Sequence, residues 1–300
     1  MRILISGSSG LIGSSLVPAL AAAGHTVGRL VRPGATLRSG DVAWDPVSGT
    51  IDHAALEGVE AVVHLSGETI LGRWTACKKR RIAGSRVAGT TLLAEALAGM
   101  RRRPGVLVSA SGAHYYGDRG LEVLSEDSTA GEGFLAETCR AWEAAALPAA
   151  RAGIRVVWLR SGIVLSPAGG VLRVMLLPFR LGLGGPIGRG RAYWSWITLS
   201  DMTRVIRFAI ETDTIAGPVN TATPTPVTNA EFTRALARVL RRPAGIPVPP
   251  VALRLVFGRE AAEEVMLSST RLAPARLLAS GFRFGYPEIE PALQAVLGRT

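Results

Sequence analysis

Hydrophobic residues near the N-terminus follow two periods in alternation. Residues Arg2–Ser6 form a short apolar run that ends at Gly7, which is typical of a strand buried on both faces of a parallel sheet. Between Leu11 and Leu20 the apolar side chains recur with helical spacing, and this pattern stops at Gly24. A second apolar run, His25–Val31, follows at once. The order of strand, helix and strand predicts the first unit of an α/β fold.

The same alternation continues through the first half of the chain. Further strands are predicted near Glu60–Leu65, Gly105–Ser109 and Arg155–Arg160, and helices near Lys78–Met100 and Leu135–Ala146. Repeated units of this kind are joined by right-handed crossovers. The pattern therefore predicts an α/β fold with a Rossmann-type, doubly wound parallel sheet.

The pattern changes near Ser161, where glycine, proline and arginine become frequent. Helices are predicted near Ser200–Glu211 and Asn229–Leu240, and short amphipathic pieces follow from Pro247 to about Leu297. Irregular segments of this kind commonly lie over a binding cleft. We expect a Rossmann domain over residues 1–165, a smaller substrate-side region interleaved with it over 166–246, and a C-terminal domain over 247–300.

Composition narrows the classes of protein. The 300 residues are 48% hydrophobic and 19% charged, which is enough to bury a large core. The formal net charge of +11 comes mostly from scattered arginines, and the basic runs lack interleaved aromatic residues. We therefore expect no nucleic-acid partner, and rank nucleic-acid binding as the least favoured of three functional hypotheses. The oligomeric state is not evident from the sequence.

The cysteines and the N-terminus indicate the compartment. Cys77 and Cys139 form neither a metal-binding pair nor a disulfide framework, so we expect a reducing compartment and no metal site. The first residues superficially imitate a secretory signal, but the segment Gly7–Gly10 interrupts the apolar stretch. No continuous apolar run reaches the ~18 residues that a membrane helix needs. We predict a soluble cytoplasmic protein without a membrane partner.

The strongest local motif is the glycine-rich run G-S-S-G-L-I-G at positions 7–13, placed between the first strand and the first helix. Gly7 would permit a tight turn, Gly10 the close approach of the backbone to a pyrophosphate, and Gly13 the packing of the helix on the strand. The unpaired N–H groups and the positive dipole of the helix start would then face the diphosphate. We predict a dinucleotide site formed by Gly7, Ser9, Gly10, Leu11, Ile12 and Gly13.

The end of the second strand indicates which dinucleotide is bound. An NAD-binding protein usually has an acidic residue there, which accepts hydrogen bonds from the adenosine ribose. This chain has Val31 and Arg32 instead, and a guanidinium can bind a 2′-phosphate, with Arg29 as a second candidate. The motif therefore favours NADP(H) as the cofactor, although Arg32 as an ordinary surface cation is the alternative.

The glycine spacing G-x-x-G-x-x-G resembles that of the extended short-chain dehydrogenase/reductase superfamily. V-V-H-L-S-G at Val62–Gly67 is similar to the strand end that lies under the adenine and ribose in that superfamily. Longer strings resemble the atypical branch of NAD-dependent epimerase/dehydratase-like proteins called epimerase family proteins, which carry an extra C-terminal domain. These strings are Ser85–Thr90, Ser109–Gly117, Trp142–Ala146, Leu159–Ser166, Pro178–Gly190, Ser195–Ile197, Gly217–Ala222 and Gly281–Phe284.

The resemblance implies further cofactor contacts. Leu65, Ser66 and Gly67 would line the cofactor. Arg86 occupies the position where extended reductases commonly have an asparagine that contacts the cofactor, and an arginine there could reach a phosphate or pair with a neighbouring acid. Ile163 follows the strand that borders the nicotinamide half. Family members often have a histidine after S-W-I, whereas this chain has Thr198.

Two of the three catalytic residues of the superfamily are replaced, whereas Ser111 lies where the serine is expected. Ordinary members use a serine and a Tyr-x-x-x-Lys pair, in which the lysine lowers the pKa of the tyrosine. Aligned on Glu143, the chain has Leu135 in the tyrosine position and Cys139 in the lysine position. The remaining candidates are Ser111, with Ser109 as an alternative, and Tyr116, with His114 and Tyr115 as alternatives.

The sequence therefore leaves two main hypotheses. The first is an NADP(H)-dependent oxidoreductase or epimerase-like enzyme that acts on a small molecule of unknown identity. The second is a non-catalytic NADPH-binding sensor or scaffold protein, which the missing Tyr-x-x-x-Lys pair favours. Four aromatic side chains could form an apolar wall for the substrate, although core packing is the preferred role for Trp142. They are Phe134, Trp142, Trp194 and Trp196.

Overall fold

The computed structural model describes residues 1–298. The strands are β1 (Arg2–Ser6), β2 (Thr26–Val31), β3 (Val42–Asp45), β4 (Thr50–Ile51), β5 (Ala61–His64), β6 (Val106–Gly112), β7 (Val123–Leu124), β8 (Arg155–Ser161), β9 (Ile163–Leu165), β10 (Tyr193–Trp194), β11 (Trp196–Thr198), β12 (Gly217–Thr221), β13 (Val227–Thr228) and β14 (Arg271–Leu272).

The α-helices are α1 (Leu11–Ala22), α2 (His53–Leu56), α3 (Ala76–Ala98), α4 (Phe134–Ala145), α5 (Leu147–Arg151), α6 (Gly170–Arg180), α7 (Leu199–Glu211), α8 (Asn229–Leu240), α9 (Pro250–Phe257), α10 (Arg259–Ala261), α11 (Ala275–Ala279) and α12 (Ile289–Leu297). A 3₁₀ turn follows β6 at Ala113–Tyr116, and a π-helical turn follows α10 at Ala262–Leu267.

An eight-stranded sheet in the order β12-β8-β6-β5-β1-β2-β3-β4 forms the centre of the molecule. Its neighbouring strands are parallel from β12 to β3, and β4 pairs antiparallel with β3. Chain order reverses direction across the sheet at β1, between β5 and β2, which places a cleft outside the carboxyl ends of these strands. The Rossmann-type α/β fold predicted from the sequence is confirmed.

Two hydrophobic clusters cover the two faces of this sheet. Ile3 and Ile5 point to the face covered by α1 and α7, whereas Leu4 points to the face covered by α3 and α5. This alternation is the period of two that a strand buried on both sides must show. A third cluster, which includes Phe232 and Leu293, joins α6, α8 and α12 beyond the sheet.

Several elements follow the predicted bounds closely. The predicted strands and helices of residues 1–160 are all present, and Asn229–Leu240 is helical as predicted. Several elements were missed, including helix α6 and strands β3 and β12. Helix α6 lies in the segment expected to be irregular. It contains Pro178 in its last turn, and the residue four positions earlier, Val174, which loses its helical hydrogen bond to this proline, is exposed. Strands β3 and β12 are short runs of the central sheet that also contain polar residues or proline.

Within residues 1–298 no helix combines the length and the apolar character needed to cross a lipid bilayer. In the same part of the chain, no three His, Cys, Asp or Glu side chains gather as they would around a metal ion.

Candidate dinucleotide and substrate site

The turn between β1 and α1 is built on close contacts that exclude side chains. Gly7 has a φ of +68°, and a Cβ atom there would lie 2.9 Å from the carbonyl carbon of Leu65. A Cβ atom on Gly13 would lie 2.2 Å from the carbonyl oxygen of Gly7. These distances are shorter than van der Waals contact, so the turn requires glycine at both positions. Gly10 donates its N–H to the Gly7 carbonyl at 3.0 Å and closes the turn.

The first turn of α1 presents free backbone donors. Gly10 occupies the N-cap position, and no side chain caps the helix. A helix leaves the N–H groups of its first turn without partners inside the helix, so those of Leu11, Ile12 and Gly13 point out of its end. Ile12 packs on the first hydrophobic cluster, while the exposed Ser9 stands at the rim. The predicted residues therefore converge on one site that can bind an anion.

A buried hydrogen-bond network supports the neighbouring strand end. The Ser6 hydroxyl lies 2.7 Å from Nδ1 of His64 and accepts hydrogen bonds from the N–H groups of Leu65, at 3.0 Å, and Ser66, at 3.3 Å. His64 is completely buried, and its Nε2 has no hydrogen-bond partner among residues 1–298. Burial lowers the pKa of His64 to about 4, so its ring is neutral at neutral pH.

The end of β2 leaves one guanidinium free. Arg29 binds the Asp41 carboxylate, with Nε 3.0 Å from Oδ1, and its side chain is therefore already engaged. Arg32 is exposed, and no residue in 1–298 forms a hydrogen bond with its guanidinium; its one electrostatic neighbour in that part of the chain is the Asp45 carboxylate. It lines a cleft of about 490 Å³ together with Val31 and Asp45. Arg32 is thus the arginine that can reach a phosphate here.

Arg86, on α3, connects the loop after β5 to helix α4. One of its terminal nitrogens donates to the carbonyl of Glu68 at 2.9 Å, and its guanidinium carbon lies 4.9 Å from the centre of the Trp142 ring. A Cβ atom on Gly67 would lie 3.3 Å from the same guanidinium carbon. Arg86 is therefore packed against the predicted cofactor loop, and the Glu68 carboxylate pairs with Lys78 instead, at 2.6 Å.

The predicted catalytic serine belongs to an ion-pair network. The Ser111 hydroxyl donates to the Glu143 carboxylate at 2.8 Å. Glu143 also accepts two hydrogen bonds from Arg160, both at 2.9 Å, in the bidentate geometry of a strong ion pair. The Arg160 and Glu143 side chains are only 4% and 12% exposed, so the pair is nearly sealed from water.

The network continues to the predicted catalytic tyrosine. The Tyr116 hydroxyl donates to Oδ1 of Asn220 at 2.8 Å and accepts from Arg160 at 3.0 Å. The Tyr116 ring is 0% exposed, and burial raises the pKa of its hydroxyl to about 12. A proton donor must reach the substrate oxygen. The placement of Ser111 and Tyr116 therefore corresponds to a structural role and offers no support for their predicted catalytic roles.

The carboxyl end of β6 shows which residues face the site instead. A Cβ atom on Gly112 would lie 3.5 Å from Nδ1 of His114 and 3.7 Å from Sγ of Cys139. Cys139 lies one helical turn before Glu143 on α4 and also interacts with the Ser111 hydroxyl, so Ser111 and Gly112 both face this helix. Burial raises the pKa of the Cys139 thiol to about 12, which keeps it protonated.

A cavity of about 380 Å³ opens beside His114. Leu135, in the first turn of α4, and several residues of the C-terminal segment line it. The lining residues are His114, Gly117, Asp118, Glu132, Leu135, Arg254, Glu263, Glu264, Leu267 and Ser268. The cavity therefore lies between the Rossmann domain and the C-terminal domain.

Glu264 ties the C-terminal segment to the Rossmann domain. Its carboxylate accepts the backbone N–H of Phe134 at 3.0 Å and that of Leu135 at 2.7 Å, and so caps α4 from a distant part of the chain. A second tie joins Lys79 and Glu260 at 2.5 Å. Nothing in the sequence around Glu264 distinguishes it from other acidic residues, so this contact was missed.

Other expected contacts have structural explanations. Trp194 and Trp196 are 5% and 0% exposed and pack in the third cluster, so the prediction that they form a substrate wall is wrong. Trp142 is buried, in agreement with the predicted core-packing role, and its indole N–H donates to the Thr90 hydroxyl at 2.9 Å. The hydroxyl of Thr198 accepts the N–H of Asp201 at 3.0 Å and caps α7. Ile163 begins β9, where it pairs with Trp196.

Comparisons with known proteins agree with this geometry. The model of the NAD dependent epimerase/dehydratase family matches residues 3–221, and that of a domain of unknown function, DUF1731, matches residues 248–296. An epimerase family protein of Mycobacterium bovis is 46% identical over 292 residues, which cover 97% of this chain and 96% of that protein.

Solved structures give the same result. The human epimerase family protein SDR39U1, crystallised with NADPH, has a TM-score of 0.91 and 35% identity, with both chains covered completely. The UDP-glucose 4-epimerase of Thermus thermophilus, crystallised with NAD, has a TM-score of 0.76 and 20% identity over the full length of both chains, which is a likeness of fold alone.

The chain belongs to the NAD-dependent epimerase/dehydratase family. Within it, the chain falls among the epimerase family proteins with a C-terminal DUF1731 domain, as the resemblance of its sequence motifs predicted.

Proposed function

We propose that this protein binds NADP(H) and acts as an atypical short-chain oxidoreductase on a small molecule. The observation that carries the proposal is the glycine turn, which opens into the uncapped helix α1, with the unpaired Arg32 at the end of the adjacent strand. The family match and the human relative crystallised with NADPH support the choice of cofactor.

The residues present fit this cofactor chemically. Free N–H groups at a helix N-terminus and the positive end of the helix dipole stabilise a diphosphate. The turn of residues 7–13 lets the backbone approach closely, because no side chain stands between it and the ligand. Arg32 has the charge and planar donor geometry that a 2′-phosphate requires, and no acid stands at its position to bind a free ribose hydroxyl.

A titration with the two dinucleotides tests the proposal. We expect NADPH to bind at least ~10-fold tighter than NADH, a difference of about 1.4 kcal/mol, as measured by nicotinamide fluorescence. Arg32→Ala should remove most of this preference, because it removes the partner of the 2′-phosphate. Arg102→Ala is a matched control. It removes an exposed arginine just before β6, at the amino-terminal ends of the strands, whereas the cofactor site lies at their carboxyl ends.

Three outcomes separate the alternatives. If neither nucleotide binds, the glycine turn is only an element of architecture and the proposal fails. If both bind equally and Arg32→Ala changes nothing, the cofactor assignment to NADP(H) is wrong. If Arg102→Ala weakens binding as much as Arg32→Ala, the preference reflects overall charge and not a specific phosphate contact.

A non-catalytic NADPH-binding protein is the second candidate. It is favoured by Leu135 and Cys139, which stand in the tyrosine and lysine positions of the family. A leucine cannot transfer a proton, and a buried neutral thiol offers no positive charge beside the nicotinamide ribose. The two candidates differ in whether a carbonyl compound oxidises the bound NADPH.

A further inference from the structure

His114 stands where the usual catalytic side chains are absent. The direction in which a Gly112 side chain would project leads to the His114 imidazole, with Cys139 beside it. Leu135 and His114 line the same cavity. The family's tyrosine and lysine positions are thus occupied by groups that cannot transfer a proton, and an imidazole lies close to them.

Several of the other polar side chains nearby are already engaged. The Ser111 and Tyr116 hydroxyls are held by Glu143, Asn220 and Arg160. Both oxygens of Glu264 accept backbone N–H groups of α4. By contrast, the His114 imidazole has no hydrogen-bond partner among residues 1–298, so its nitrogens are free for a ligand.

The charges of the cavity indicate what it can hold. Four carboxylates line it, those of Asp118, Glu132, Glu263 and Glu264. Its single arginine, Arg254, has Nε 3.4 Å from the Glu263 carboxylate and is therefore already paired. An anionic diphosphate would meet net repulsion in these surroundings. A cavity of about 380 Å³ instead suits a small ligand with an oxygen that can bond to an imidazole.

We propose that the cavity beside His114 is the substrate pocket, that the His114 imidazole exchanges the proton with the substrate oxygen, and that the substrate is a small phosphate-free carbonyl compound or alcohol. The inference rests on the proposed function, because bound NADP(H) would supply or accept the hydride.

The proton transfer balances with His114 alone. In the reducing direction, bound NADPH would supply the hydride that forms the C–H bond at the carbonyl carbon, the π electron pair moves to oxygen, and the oxygen takes a proton from the His114 imidazolium. The imidazole then regains a proton from solvent. In the oxidising direction, the neutral imidazole accepts the hydroxyl proton. Burial, reinforced by the nearby Arg86 charge, lowers the pKa of His114 to about 4, so the neutral form that accepts a proton prevails at neutral pH, and the reducing direction should become faster as the pH falls toward 4.

A spectroscopic test does not depend on turnover. The full chain is labelled with ¹⁵N at its four histidines and loaded with NADP⁺, and His114→Gln assigns the His114 signals. Unbranched alcohols of three to eight carbons and UDP-glucose are the probes. We expect the imidazole signals of His114 to move with the alcohols and to stay in place with UDP-glucose. Movement with UDP-glucose alone, or with no probe, would overturn the proposal.

A kinetic test uses the matching aldehydes and ketones with NADPH. We expect His114→Gln to lower kcat at least ~100-fold for the carbonyl compounds that are reduced, which is the lower range for removal of a general acid–base group. The dissociation constant of NADPH should stay within ~2-fold. His53→Gln, which changes an exposed histidine on α2, is the control.

The outcomes distinguish this inference from the proposed function. If the protein fails to bind NADPH, the proposed function itself fails. If NADPH binds but no member of the carbonyl panel oxidises it, or if His114→Gln retains the wild-type kcat, the pocket proposal is wrong while the cofactor assignment stands. Tyr116→Phe separates the two candidate proton donors. If this variant lowers kcat as much as His114→Gln does, Tyr116 and not His114 is the proton donor.

Discussion

The two halves of the cleft are built in opposite ways. In the half formed by the glycine turn and β5, neutral groups pack so closely that Gly7 and Gly13 have no room for a side chain. In the half formed by β6, α4 and β8, a buried ion pair between Glu143 and Arg160 fixes the strand ends. In the first half, backbone N–H groups remain available to the ligand. In the second half, the polar side chains form hydrogen bonds and ion pairs with one another.

This difference shows that binding and chemistry are separable in this fold. The glycine turn retains every feature needed to hold a dinucleotide. The other half has Leu135 and Cys139 where a proton-transfer pair is expected, and its serine and tyrosine hydroxyls are engaged in a closed network. A fold can therefore keep its ligand while the groups that act on it change.

Gly13→Ala should produce the largest effect on NADPH binding, and it tests the steric half of the comparison. The added Cβ would lie 2.2 Å from the Gly7 carbonyl oxygen, so α1 must shift away from the turn. We expect at least ~100-fold weaker NADPH binding in a fluorescence titration, about 2.7 kcal/mol. Gly84→Ala, where a Cβ meets nothing within 4 Å, should bind NADPH normally. Equal affinity in both variants would show that the turn tolerates a side chain.

Glu143→Gln tests the electrostatic half. Loss of one partner leaves the buried Arg160 charge without its counter-ion, which should lower the free energy of unfolding by about 3 kcal/mol. We expect the affinity for NADPH to change less than ~2-fold, because the network does not face the glycine turn. Urea unfolding measures the stability, with the exposed Glu137→Gln on the same helix as the control. A large loss of affinity without a loss of stability would show that Glu143 acts on the ligand.

The smallest effect is a pH dependence that arises in the neutral half. The pKa of His64 is lowered to about 4 by burial, whereas an unfolded histidine titrates near 6.5. Between these values the unfolded chain binds more protons, so the stability present above pH 6.5 is lost as the pH falls. From pH 7 to pH 5 this histidine should account for a loss of about 2 kcal/mol.

Urea unfolding at the two pH values checks this expectation, with His64→Asn and the exposed His53→Asn compared. The first variant should lose less stability than the wild type on acidification, and the second should behave as the wild type does. If His64→Asn shows the wild-type pH dependence, the acid sensitivity arises elsewhere.

The sequence predicted those parts of the fold whose signal is local. Arg2–Ser6 and Asn229–Leu240 were placed within their observed bounds, because burial on both faces or on one helical face leaves a clear period. Helix α6 was missed since Gly170 and Pro178 resemble loop residues, although Leu172, Leu176 and Phe179 pack in the third cluster. Tertiary packing there outweighs the local propensity of the sequence.

The same distinction between local and long-range signals applies to the candidate site. The glycine turn could be predicted because each glycine is required by its own backbone surroundings. The network of Ser111, Glu143, Arg160, Tyr116 and Asn220 could not, since it joins residues as far as 104 positions apart. Ser111 and Tyr116 looked catalytic by their position at a strand end, and only the contacts of their hydroxyls show what they bind.

The cap on α4 also has a consequence for the order of folding. This helix begins after Gly133, and its first-turn N–H groups are satisfied by a carboxylate that lies 130 positions later in the chain. During synthesis, the Rossmann domain leaves the ribosome well before Glu264 does. The first turn of α4 therefore stays incomplete until the C-terminal domain has emerged, and the wall of the cavity beside His114 is among the last parts of the molecule to form.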